Sequence, residues 1–187
     1  MHHPFLAGVA SELQGLGLAT LRYQFPYMEQ RGKRPDPPAL CHATVRAAAA
    51  AALRLSPSLP LFAGGKSFGG RMTSQAQAAA PLAAVRGLVF LGFPLHPPRQ
   101  PSDSRAQHLA QTKIPLLFLQ GTRDAFAEWP LLEPVVARLG DRATLSPVRD
   151  ADHSFHVPAR TGRTDAQVQT LMLNELAAWV SLMLRRG

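Results

Sequence analysis

The chain has 187 residues, 46% hydrophobic and 17% charged, a balance that supplies one domain with a buried core and excludes disorder over most of its length. Its formal net charge of +8 is carried largely by Arg, but the densest patches, RGKR at 31–34, RTGR at 160–163 and the terminal Arg185-Arg186, are short and scattered, so they read as solvated surface and no nucleic-acid partner is expected. The lone Cys41 excludes an intramolecular disulfide and a multi-cysteine metal site, and leaves a reducing cytoplasm as the expected compartment.

The opening segment, MHHPFLAGVASELQ, lacks a basic region followed by a sustained apolar run. Its spacing predicts an amphipathic helix over 3–14, closed by Gly15 and Gly17, instead of a signal peptide. A strand is expected over 18–24, then a proline-rich loop through YMEQRGKRPDPP. The run Ala47 to Ala52 falls inside a helix predicted over 39–55 and ended by Ser56-Pro57. A short strand over 59–63 runs into GGKSFGG, and the helix behind it stops at Pro81. RGLVFLGFP at 86–94 and PLLFLQG at 115–121 are apolar along nearly their whole length, as strands buried on both faces are. Between them lies the polar stretch HPPRQPSDSRAQHLAQTK, with a short helix at its C-terminal end. After a helix over 131–139, capped by Gly140, ATLSPVR is the last strand, and Pro147 assigns it to the sheet edge, where a missing N–H costs least. The final helix opens on a capping box, Thr164 with Gln167, and carries the apolar stripe Val168, Met172, Leu176, Trp179 and Met183. Residues 171–184 are too few to span a bilayer and include Asn174 and Glu175, so no membrane partner is expected. The alternation of helix and strand patterns predicts one α/β domain over 1–187, with a mainly parallel sheet flanked by helices.

Gly65-Lys66-Ser67-Phe68-Gly69 satisfies G-x-S-x-G where a strand turns into a helix. Such a turn lifts a serine Oγ above the sheet on a strained backbone, and Gly65 and Gly69 are expected to be small because side chains there would collide. A serine hydroxyl needs a base to take its proton, and the base needs an acid to fix its tautomer. Asp124 in GTRDAF and His153 in DADHSF follow Ser67 in the required order. Each comes just past a predicted strand end, where α/β sheets place their sites. The backbone N–H of Phe68 is the expected oxyanion donor. Asp150 and Asp152 are rival acids that read as loop residues, since a carboxylate adjoining His153 in sequence has difficulty reaching its Nδ1.

GGKSFGGRM, VFLGFPLHPP, LLFLQGTRDAF and ADHSFHVP together resemble the α/β-hydrolases related to dienelactone hydrolases. Within that group they are similar to the subfamily of the testis-expressed hydrolase-like proteins and the hydrolase-like domain of an NSL acetyltransferase complex subunit. The resemblance implies Ser67 as nucleophile, Asp124 as acid and His153 as base, and it sets the PLHPP loop around His96 beside the site. It implies no particular substrate. Members of the group begin with a strand ending in an HGAG-like loop, which supplies one oxyanion N–H and lies between the strands expected here at 18–24 and 59–63. This chain starts after it, so an interior gap in the sheet is expected. Loss of an oxyanion donor costs about 10²–10³ in rate.

Other readings of the same residues are weaker. A P-loop would need glycine at position 60, where Pro60 stands, and an acidic residue at the end of RGLVFLGFP. His153 and His156 are three apart and His2 adjoins His3, but no compact ligand set surrounds either pair, so no metal is expected. The expected activity is a serine hydrolase for an ester, thioester or similar acyl compound, without cofactor, with Lys66 and His96 as candidate substrate contacts. The short 96–113 stretch predicts an open site without a helical cap. The alternative is a non-catalytic hydrolase-fold module that binds a partner through an uncovered strand edge, with a homodimer as one such assembly.

Overall fold

A computed structural model describes residues 3–186. In it the two long apolar runs become adjacent strands, β2 (Val85–Leu91) and β3 (Leu116–Gly121), flanked by β1 (Leu61–Lys66) and β4 (Ala143–Val148) in one parallel sheet of order β1-β2-β3-β4. Period-two alternation divides the side chains of β2 and β3 between two cores. Leu88, Phe90, Leu116 and Phe118 enter one core; Val89, Leu91, Leu117 and Leu119 enter the other. Both faces are therefore covered, which is why these segments are apolar throughout and not alternating.

The first core is closed by helices α3 (Pro38–Leu55), α4 (Phe68–Ala79) and α5 (Trp129–Leu139). The second is closed by α1 (Pro4–Gly15) and α6 (Asp165–Arg186). Arg46 of α3 donates to the carbonyls of Ala76 (2.6 Å) and Ala80 (2.8 Å), satisfying the end of α4 that Pro81 terminates. The capping box of α6 forms in full: the Thr164 N–H donates to Gln167 Oε1 at 2.9 Å, and the Gln167 N–H to Thr164 Oγ1 at 3.2 Å. Its stripe is buried at Val168, Met172, Leu176 and Trp179. Pro147 sits opposite Gln120 on edge strand β4, as its missing donor requires.

Two local expectations are corrected. Residues 18–24 make no strand: the ladder ends at β1, and no described strand pairs with them. An extended segment acquires strand hydrogen bonds only beside another strand, about 4.8 Å away. The proline-rich loop that follows holds a helical turn, α2 (Pro26–Glu29). The polar stretch before β3 does form its short helix, as a 3-10 segment over Ser104–Gln111. No helix among the described residues is long and apolar enough to cross a membrane. His2 lies outside the described residues.

Candidate active site

Ser67 joins β1 to α4 with φ 48° and ψ −114°, a left-handed backbone that a non-glycine residue adopts only when its surroundings compel it. Its N–H donates to Leu91 O at 3.2 Å, and its carbonyl receives the N–H of Arg71 at 3.1 Å. The close approach in this turn is between Gly65 and Gly70. A Cβ on Gly70 would stand 2.7 Å from Gly65 O, and one on Gly65 would stand 3.1 Å from Gly70 N. At Gly69 a Cβ would meet nothing within 4 Å, so the expectation for that glycine is corrected: the residue after it carries the steric demand.

Asp124 and His153 reach Ser67 from the loops after β3 and β4. Gly121 permits this, since a Cβ there would come 2.6 Å from Asp152 O and push the histidine loop away. His153 Nε2 lies 2.8 Å from Ser67 Oγ, and His153 Nδ1 lies 2.7 Å from Asp124 Oδ2. An ionised carboxylate only accepts, so Nδ1 carries the hydrogen and Nε2 is left to accept from the serine hydroxyl. Asp124 is 2% exposed, yet both its oxygens are satisfied. Oδ1 receives the Phe126 N–H at 2.8 Å, and Oδ2 also receives Gln120 Nε2 at 2.6 Å. Gln120 in turn accepts the Phe93 N–H at 2.7 Å. The ring of Phe126 lies over His153, centroids 4.3 Å apart. Sequence reasoning missed Gln120 and Phe126; only a polar residue near the end of an otherwise apolar strand hinted at the first.

The N–H of Phe68, first residue of α4 and next to Ser67, has no intrahelical acceptor. Lys66 donates from Nζ to the main-chain carbonyl of His153, with Nζ 4.4 Å from the Phe155 ring centroid and 5.5 Å from that of Phe5. Burial lowers its pKa to about 8. His96 is fully buried, with Nδ1 2.8 Å from Pro97 O and Nε2 2.5 Å from Glu128 Oε2. That second contact is close but poorly directed, and neither atom has another partner. Asp152 accepts the N–H groups of Ser154 and His156, and Asp150 pairs with Arg163 at 3.3 Å; both shape the loop. His156 pairs with Asp165 at 2.8 Å. Among the described residues no group of three His, Cys, Asp or Glu side chains converges on a metal position.

A cleft of about 450 Å³ opens over Ser67, bounded by Phe68, Arg71, Arg105, Asp36 and Phe126, among others. Ser67 is half-buried, with no helical cap over it among the described residues.

Residues 1–181 match the family model described as "Alpha/beta hydrolase domain". Solved structures with the same architecture include an α/β serine hydrolase homologue from Coxiella burnetii (TM-score 0.72, 20% identity, covering 94% of this chain and 77% of that one). Another is an α/β serine hydrolase without lid from Xanthomonas campestris (0.71, 21%, 96% and 75%). A third is the esterase domain of a Rhodothermus marinus protein (0.67, 14%, 94% and 79%).

Proposed function

The chain belongs to the α/β hydrolase domain family, and from that premise we propose that it is a serine hydrolase of the carboxylic ester type, acting on an ester, thioester or similar acyl compound. Ser67 Oγ attacks the acyl carbonyl while His153 Nε2 takes its proton. Asp124 holds His153 in the tautomer that makes Nε2 the base, and the N–H of Phe68 stabilises the developing oxyanion. His153 then returns the proton to the leaving group, and water attacks the acyl-enzyme by the same relay. The reaction as proposed uses no metal and no organic cofactor. One observation carries the reading: a single imidazole stands 2.8 Å from the serine Oγ and 2.7 Å from a buried carboxylate. The serine hydrolase and esterase neighbours support it. A dienelactone-hydrolase-like subfamily and a cytoplasmic setting belong to the same proposal, on the residues that carry the resemblance.

Intact-mass analysis after exposure to a fluorophosphonate tests it. A single adduct is expected on the parent and none on Ser67→Ala. A folded parent that stays unlabelled refutes the activated serine. It would then favour a second reading, a partner-binding module or homodimer, for which the outer edge of β1, unpaired among the described residues, is the supporting observation.

A further inference from the structure

The cleft beside Ser67 contains two guanidinium groups, Arg71 of α4 and Arg105 of the 3-10 segment, and neither pairs with a carboxylate among the described residues. Arg71 lies one helical turn beyond the serine, with its guanidinium carbon 5.6 Å from the centroid of the Phe68 ring. Its Nε is shut off from solvent with no acceptor. Burial, followed by repulsion from Arg105, destabilises the Arg71 cation. The neighbouring His108 is held neutral by burial and by the charge of Arg71. The one carboxylate on the cleft wall, Asp36, accepts the Tyr27 N–H at 2.9 Å and reaches neither arginine within ion-pair distance. Two mutually repelling, half-desolvated cations with a buried donor left over form an arrangement that an anion would complete. Arginine's fork of N–H donors suits carboxylate and phosphate oxygens.

We propose that this cleft selects acyl substrates bearing a carboxylate or phosphate group within a few bonds of the reacting carbonyl, the anion being clamped between Arg71 and Arg105. The inference rests on the serine hydrolase reading for its chemistry, but the anion site itself does not need an activated serine. Arg71 sits one turn along the helix that begins at the nucleophile, in the same cleft, so half-esters of short dicarboxylic acids are the matching probes. The charged end orients the acyl group, so binding energy remote from the carbonyl is used to align it.

The test compares kcat/KM on a matched pair, p-nitrophenyl butyrate and mono-p-nitrophenyl glutarate, in the parent, Arg71→Gln, Arg105→Gln and the double variant. The parent is expected to prefer the anionic ester by about tenfold or more, and the double variant to lose that preference, with the change mainly in KM. A parent that prefers the neutral ester, or a preference that survives in a folded double variant, overturns the proposal. Calorimetric titration of Ser67→Ala with glutarate and with inorganic phosphate reads the site without turnover. Binding of either supports the clamp and identifies which anion it takes; binding of neither overturns it. Glutarate binding in a parent that resists the fluorophosphonate sinks the hydrolase reading and keeps the anion site. Labelling without anion binding does the reverse.

Discussion

Lys66 Nζ donates to the main-chain carbonyl of His153, so the residue before the candidate nucleophile tethers the loop that carries the candidate base. The tether is internal: Nζ stands against the ring of Phe155 and reaches toward Phe5 of α1. It bridges 87 positions of sequence and couples the end of β1 to the loop after β4.

Replacing Lys66 with Met should therefore loosen His153 and lower kcat by about tenfold or more, because small displacements of a catalytic group are costly. The pH dependence of stability gives an independent check. Burial lowers the folded pKa of Lys66 from 10.5 to about 8. Between those values the unfolded chain holds a proton that the folded chain has lost, so this group's contribution to stability rises with pH across that window. Urea unfolding at pH 7 and pH 9.5 should show the parent gaining about 2 kcal/mol relative to Lys66→Met. Parallel profiles would exclude the buried ammonium as the cause.

His108 titrates in the opposite part of the range. Burial, then the proximity of Arg71 and His42, hold its pKa at about 4 in the folded chain, while its ring nitrogen stays 2.8 Å from Ser74 Oγ. As pH falls below 6.5 the unfolded chain takes up a proton that the folded chain refuses until about 4, so stability is lost over that interval. Between pH 7 and pH 4.5 the parent is expected to lose about 2–3 kcal/mol more than His108→Gln in urea unfolding. An equal loss in both proteins would assign the acid sensitivity elsewhere.

Gln120→Leu removes the amide that joins Asp124 Oδ2 to the Phe93 N–H. The orphaned, buried N–H should cost about 1–3 kcal/mol of stability. Asp124 would keep only Phe126 and His153 as partners, so a fall in kcat at unchanged serine accessibility is expected. Steady-state rates on a neutral p-nitrophenyl ester, set beside the unfolding midpoint, separate the two effects.

The two glycines after Phe68 should respond in opposite ways. Gly70→Ala forces a methyl to 2.7 Å from Gly65 O and should destabilise by about 1–3 kcal/mol. Gly69→Ala enters open space on a helix, where Ala is the better residue, and should be neutral or stabilising by up to about 1 kcal/mol. Thermal unfolding of the pair decides it; similar midpoints would contradict the assigned close approach.

Much of this molecule is legible along the chain. The order of helices and strands, the edge position announced by Pro147, the capping box at Thr164 and the strand-turn-helix setting of Ser67 are all written in neighbouring residues, where period, turn chemistry and capping act locally. Asp124 and His153 could be singled out because strand ends are local features too. Other properties depend on what lies across space. Residues 18–24 have the composition of a strand and are none, since a strand needs a partner across space and no described strand pairs with them. Gly70 carries the close approach because Gly65 O folds back upon it. The tether from Lys66, the support of Gln120 for Asp124 and the shared cleft of Arg71 and Arg105 join residues whose separations in sequence hold no period. Packing alone brings those groups together, and burial then gives their charges and hydrogen bonds a weight that the same residues would not have in water.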